Sequence, residues 1–326
     1  MAMALQPACK VSDPLYCDRS TPCDDPARPF CDLTGEYPAS DGVARTCIPL
    51  PFDAGTVSSG EDSGTIDGDA APPGDARPPC SWLPLLQLEL PNTPTGGSSP
   101  SLDADGLTLY FSRIVESRSR IYVATRAAVG KPFGEPTLME DLSSDDVSHD
   151  QPEISASTLE AFFRVPSGNT IETATRSSPA KDFGPSMPSG FNGFSPSLSG
   201  DGRALYFASG GADPSVQRAT RSSVSAPWSE PVSVLPTRGY LGVDVTPDEL
   251  ALLLVRNPFE APQQPILVAR RSSRDQEFGP AVPVNDELLI PDAVYGKATW
   301  DRTQTQMIVS LQPEGGATDL YYSVCQ

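Results

Sequence analysis

His149 is the only histidine among 326 residues. One imidazole cannot build a His-rich metal site, and no Ser-x-Gly elbow surrounds a candidate serine, so neither that kind of metal centre nor a Ser-His-Asp triad is expected. Flanked by Asp145, Asp146 and Asp150, His149 reads as a loop residue without a chemical role. Basic residues are scarce too: 23 Lys and Arg face 42 Asp and Glu, for a net charge of -19. Nucleic acid and anionic membrane surfaces require clustered Lys and Arg, so neither is an expected partner. No run approaches the roughly 18 apolar residues that span a bilayer, and Met1 to Cys9 is too short and polar for a secretory h-region.

Cysteine is unevenly supplied. Five of the seven (Cys9, Cys17, Cys23, Cys31, Cys47) fall in the first 50 residues, within a loop-rich stretch carrying prolines such as Pro14, Pro22 and Pro29. No C-x2-C pair is present, so zinc is disfavoured and a small disulfide-stapled module is expected over 1–50, in an oxidising, extracytoplasmic compartment. The pairing stays open. An odd count leaves one thiol over; Cys9 is a candidate lipid anchor, although LQPAC matches a lipobox poorly. Residues 51–79 are rich in Gly, Ser, Asp, Ala and Pro and read as a flexible linker. Asp67-Gly68-Asp69 lacks the later ligands of a calcium loop.

From residue 80 three landmarks recur. The first is a strand-turn-strand unit: SPSLDADGLTLYFSR from Ser99, QPEISASTLEAFFRV from Gln151, SPSLSGDGRALYFAS from Ser195, LGVDVTPDELALLLVR from Leu241 and a degenerate GKATWDRTQTQMIVS from Gly296. In the third, Asp201-Gly202 is expected to make a two-residue turn before the apolar strand Ala204 to Phe207. A strand apolar on both faces must be covered on both. The second landmark is a strand ending at Arg126, Arg176, Arg221 or Arg271. The third is an aromatic near a proline: Phe133, Phe183, Trp228 and Phe278. Periods of roughly 45 to 50 residues with four short strands each are those of propeller blades.

The ends of the array complement each other. The fifth unit stops at LYYSVCQ, with Cys325 where earlier copies carry Arg, and lacks an outer strand; the run from Trp82 to Leu90 matches that outer strand and lacks inner ones. The expected fold is therefore all-β: a five-bladed β-propeller over 80–326, closed by an N-terminal strand that completes the last blade, which removes the sheet edges. Cys80 and Cys325 would then lie side by side, a disulfide candidate.

The repeats, above all SPSLSGDGRALYFAS and SPSLDADGLTLYFSR, resemble the TolB-type, WD40-like propeller repeats of bacterial envelope proteins, with their Pro-x-Ser-x-Asp-Gly turn before an aromatic strand. The turn departs to Ser157-Thr158 in the second unit and Asp248-Glu249 in the fourth, and is nearly lost in the fifth. The resemblance implies an extracytoplasmic binding or scaffold role, often without catalysis.

Candidate ligand residues are those before and within the innermost strands, at the channel mouth: Ser99, Ser101, Asp150, Glu153, Ser195, Ser197, Asp244 and Lys297. Glu153 and Asp244 occupy nearly corresponding positions and could face each other across the channel. The favoured expectation is a monomeric, non-enzymatic binder of a protein or small ligand in the cell envelope, with no cofactor, no metal and no catalytic residue. Its rival is a carbohydrate-active, glycoside hydrolase-like enzyme, which three carboxylates converging on an open channel would favour. A third reading, a purely structural component, would show a channel plugged with apolar side chains. The repeated arginines read as packing or surface ion pairs, and the repeated aromatics, with Trp82, as core between blades.

Overall fold

The computed structural model describes residues 30–32, 46–48, 82–91, 96–211, 214–256, 265–284 and 288–325. The chain divides into two compact units, Met1–Ala70 and Ala71–Gln326. In the first unit, β1 (Phe30–Asp32) and β2 (Thr46–Ile48) pair antiparallel with Cys31 directly opposite Cys47. The expected linker, Cys9 and Cys80 lie outside the described residues. No helix among the described residues is long and apolar enough to cross a membrane.

The second unit is a series of four-stranded antiparallel meanders. The first joins β4 (Gly97–Leu102), β5 (Thr108–Val115), β6 (Arg118–Thr125) and β7 (Thr137–Leu138). The second joins β8 (Asp150–Ile154), β9 (Glu160–Val165), β10 (Thr170–Thr175) and the start of β11 (Met187–Leu198); the end of β11 then opens the third, with β12 (Ala204–Ser209), β13 (Val216–Thr220) and β14 (Val232–Ser233). The fourth comprises β15 (Tyr240–Val245), β16 (Ala251–Arg256), β17 (Ile266–Arg270) and β18 (Val282–Pro283). The last comprises β19 (Val294–Trp300), β20 (Gln306–Gln312) and β21 (Asp319–Val324), and its fourth strand is β3 (Leu86–Gln87) from the other end of the array. Tyr322 pairs with Leu86, Tyr321 with Gln87, and Trp82 bridges Cys325, so the complementary ends do meet.

The inner strands touch in a closed cycle, β4 to β8, β11, β15, β19 and back to β4. Packing follows the same cycle. Apolar clusters fill each junction between neighbouring meanders: Ile121 with Phe163 and Phe183, Phe162 with Leu205 and Phe207, Tyr206 with Leu254, Leu253 with Met307 and Trp300, and Ile308 with Leu109 and Phe111. The second strands are buried on both faces because each stands between two neighbours, and a fully buried aromatic there contributes about 1.5–3 kcal/mol.

The hairpin turns differ from the two-residue form expected. Each spans four residues closed by a backbone bond from the fourth to the first: Gly106 to Asp103, Thr158 to Ser155, Gly202 to Ser199, Glu249 to Thr246 and Gln304 to Asp301. Only the fourth residue is left-handed, with φ of 69°, 59°, 66°, 61° and 54° respectively. Asp201 is thus not a left-handed turn residue. The first residue's side chain caps the next strand; Asp103 accepts from the Thr108 amide at 3.0 Å, Ser199 from Ala204 at 2.9 Å and Asp301 from Gln306 at 3.0 Å. The same cap is made in the units that lack Asp-Gly, where Ser155 accepts from the Glu160 amide at 3.0 Å and Thr246 from the Ala251 amide at 2.9 Å, and these units keep the same turn.

The repeated arginines and aromatics form one device. In each of the first four meanders the arginine Nε donates to the carbonyl of that left-handed residue: Arg126 to Gly106 at 2.7 Å, Arg176 to Thr158 at 2.6 Å, Arg221 to Gly202 at 2.7 Å and Arg271 to Glu249 at 2.7 Å. Each guanidinium also stacks on its own meander's aromatic, 4.4 Å from Phe133, 4.4 Å from Phe183, 4.3 Å from Trp228 and 4.4 Å from Phe278. The clamp ties the turn between the first two strands to the loop that leads to the fourth.

Candidate functional site

The site residues are positioned by a bulge common to all inner strands. Register slips between Ser98 and Ser101, Asp150 and Glu153, Phe194 and Ser197, Tyr240 and Gly242, and Tyr295 and Ala298. In the first three, the bulge residues Ser99, Gln151 and Ser195 have φ of 52°, 54° and 57°, each immediately before a proline. Proline has no amide hydrogen for the ladder, so it is tolerated at this break in the register. After the bulge, Ser101, Glu153, Ser197, Asp244 and Thr299 lie opposite Tyr110, Phe162, Tyr206, Leu253 and Ile308 of the second strands. They are structurally equivalent.

These residues knit the inner strands together. Ser101 Oγ donates to Glu153 Oε2 at 2.8 Å, and the Leu198 amide donates to Glu153 Oε1 at 2.9 Å. Ser197 Oγ donates to Asp244 Oδ1 at 3.1 Å, while Thr299 Oγ1 and the Trp300 amide donate to Oδ2 at 3.1 and 3.2 Å. The Leu102 amide donates to Thr299 Oγ1 at 3.2 Å and returns the network to β4. Lys297 Nζ lies 3.7 Å from Glu153 Oε2 and donates to the Pro196 carbonyl at 3.0 Å. Glu153, Asp244 and Lys297 are 7%, 6% and 2% exposed, so they form a buried polar plug and do not stand at an open mouth as expected. The plug is not the apolar one of a purely structural component.

Burial pushes the Glu153 carboxyl up, opposed by Lys297. Burial, then the Glu153 charge, raises Asp244 to about 7. Two buried carboxylates share one ammonium, which favours holding a proton on the pair near neutrality.

Over the plug, on the hairpin-turn side, lies a cavity of about 60 Å³. Asp103, Glu153 and Asp244 all line it, with Trp300 and Arg302. The third carboxylate is therefore Asp103, which sequence reasoning did not name, and not Asp150. Asp103 is raised to about 7 by burial and by Asp105. Asp150 lies on the other side of the β8 bulge, 3.7 Å from Arg164, and burial raises it to about 6. Neighbouring turns close the cavity: the Gly200 amide donates to the Pro247 carbonyl at 2.9 Å and the Arg302 amide to the Ala104 carbonyl at 3.2 Å. A Cβ on Gly200 would stand 2.8 Å from Pro247 Cβ, so this approach needs glycine.

The remaining candidates take other places. Ser195 is buried; its amide donates to Gln151 Oε1 at 2.7 Å and its Oγ accepts from the Val243 amide at 3.3 Å. Ser99 is the bulge residue of β4 and stays outside the network around Glu153 and Asp244. His149 packs at the junction of the first two meanders, its Nδ1 2.9 Å from the Leu142 carbonyl and its ring 4.8 Å from Phe163. Of the repeated aromatics, Trp82, Phe133, Phe183 and Phe278 are buried as expected, whereas Trp228 is partly exposed. Among the described residues no cluster of metal ligands is present.

No protein-family model matches the chain, and no curated protein does. Solved structures do. The α-L-arabinofuranosidase from Podospora anserina, solved with cellotriose, superposes with a TM-score of 0.52 at 10% identity, over 76% of this chain and 97% of that one. TolB from Acinetobacter baumannii gives a TM-score of 0.43 at 15% identity over 71% of this chain, which spans 55% of the TolB chain. A gluconolactonase from Xanthomonas campestris gives 0.45 at 13% identity, over 76% and 96%. The TolB-type resemblance of the repeats is thus supported for the propeller and not for TolB in particular. The arabinofuranosidase superposition, together with the closed cycle of inner strands, identifies the fold of the repeat region as a β-propeller.

Proposed function

We propose that residues 80–326 form a five-bladed propeller that works as a non-enzymatic, extracytoplasmic binding or scaffold protein, presenting its face to a protein or small ligand. The observation that carries this reading is the filled channel. Every oxygen of Glu153 and Asp244 accepts a hydrogen bond from an inner strand, and the cavity above them, about 60 Å³, is far below the roughly 300–1,000 Å³ of small-molecule sites. Carboxylates committed to joining blades serve a rigid axis better than they serve proton transfer. The same reading includes the Cys80–Cys325 disulfide, supported by the Trp82–Cys325 bridge, and a stapled N-terminal module in which the register sets Cys31 against Cys47. Both disulfides would require an oxidising compartment, which is the basis for the extracytoplasmic assignment in this reading, and Cys9 remains its candidate lipid anchor.

One observation favours the enzymatic alternative: three carboxylates with raised proton affinity line a single cavity, the arrangement glycoside cleavage employs. A panel of p-nitrophenyl glycosides, assayed between pH 4 and 8, separates the two. The expected result is no turnover that Glu153→Gln abolishes; turnover lost in Glu153→Gln, Asp244→Asn or Asp103→Asn would overturn the non-enzymatic reading.

A further inference from the structure

The groove between the second and third meanders encloses about 770 Å³, within the size range of small-molecule sites, and lies apart from the channel cavity. Two local departures from the repeat create it. The first is Trp228, at the position where the other clamped meanders carry phenylalanines only 2%, 6% and 6% exposed. Arg221 covers one face of the indole, and Phe162 and Phe191 meet it edge to face, at 6.1 and 6.3 Å between ring centroids. The surface they leave uncovered opens on the groove. The second departure is in β11. Glu172 pairs with Pro188 but Ile171 pairs with Phe191, so Ser189 and Gly190 are extra residues, with Gly190 at φ 90°. The bulge swings Phe191 onto Phe207, 5.2 Å between ring centroids, and shapes the wall opposite Trp228.

The polar lining narrows the ligand. Asn192 and Glu230 are exposed, and Gln217, whose Nε2 donates to Ser215 Oγ at 2.7 Å, presents its Oε1 as an acceptor. Among the described residues no Lys or Arg lines the groove. A carboxylate without a cation disfavours anions, and a wholly apolar ligand would strip water from two amides without replacing its hydrogen bonds. An aromatic surface beside side-chain amides and one carboxylate suits a ligand with a C–H face and many hydroxyls. We propose that this groove is a non-catalytic binding site for a neutral glycan, with Trp228 as the stacking surface and Asn192, Gln217 and Glu230 as hydroxyl partners. The inference is independent of what the channel does.

The test is calorimetric titration of the full chain with cellohexaose, xylohexaose, mannohexaose, maltohexaose and chitohexaose. At least one is expected to bind. Trp228→Phe should weaken that binding tenfold or more while the melting temperature stays within about 2 °C, because phenylalanine already serves the arginine clamp in three other meanders. Asn192→Ala should weaken it severalfold. Failure of all five probes to bind at about 10 mM, or equal binding by Trp228→Phe, would overturn the proposal. Glu153-dependent hydrolysis would instead overturn the non-enzymatic reading and leave the groove's Trp228 dependence standing.

Discussion

Four meanders and the closing one solve the same problem differently. In the first four, consecutive segments of chain form all the strands of a sheet, and an arginine stacked on an aromatic holds the inner turn to the outer loop. The closing meander takes its outer strand from the opposite end of the repeat region. There Trp82 stands for the aromatic and Cys325 for the arginine, and the Cys325 amide donates to the Thr305 carbonyl at 2.8 Å. A non-covalent clamp suffices where short loops already keep the partners together. A clasp that also closes the ring must resist the separation of two distant chain segments, where loop-closure entropy is large and a covalent bond such as the proposed Cys80–Cys325 disulfide would be most effective.

The largest expected effect tests that contrast directly. Reduction, or Cys325→Ser, should lower stability by about 4–5 kcal/mol for a loop of about 245 residues, on the order of 10 °C in melting temperature. Mass spectrometry after alkylation checks the premise; two alkylated thiols at Cys80 and Cys325 in the unreduced protein would show the ring closed without a bond.

Next comes the axis that all meanders share. Lys297→Met leaves Glu153 and Asp244 buried without their ammonium and should cost about 3–5 kcal/mol in urea denaturation. A cost below about 1 kcal/mol would mean that the pair is already neutral.

Arg221→Ala should cost about 2 kcal/mol, since it loses the Gly202 carbonyl, the stacking on Trp228 and a salt bridge to Glu160. Arg176→Ala, which loses only the carbonyl bonds and the stack, should cost about half as much. Equal costs would show that the clamp, not the salt bridge, dominates.

The last effect is in pH. Asp244 titrates near 7 in the folded chain against 3.8 unfolded, so between those values the native state binds the extra proton. Its contribution therefore favours folding at low pH and is lost as pH rises through 4 to 7. The melting temperature should fall over that window, less steeply in Asp244→Asn; parallel profiles would assign the slope to other groups such as Asp103 and Asp150, which burial also raises.

Much of the fold was legible because it is repetitive: a strand apolar on both faces, an arginine and an aromatic recur at nearly constant spacing, and the two ends carry complementary fragments. The site was less legible. Glu153 and Asp244 were found because they occupy equivalent positions, but Asp103 was missed in favour of Asp150. The bulge before Pro100 and Pro152 changes which residues of an inner strand share a level, and a strict alternation cannot anticipate it. Cavity size was also invisible, since it depends on how closely Gly200 and Pro247 of adjacent turns approach.

The sequence by itself determined the all-β class, the repeat boundaries and the pairing of the first strand with the last, because these follow from local strand and turn chemistry repeated at a fixed period. Only the tertiary structure decided that the channel carboxylates are buried in mutual service and that Trp228 alone of the clamp aromatics is partly exposed. Both depend on which side chains meet across neighbouring sheets, and such meetings are set by bulges and packing that one repeat, read alone, does not contain.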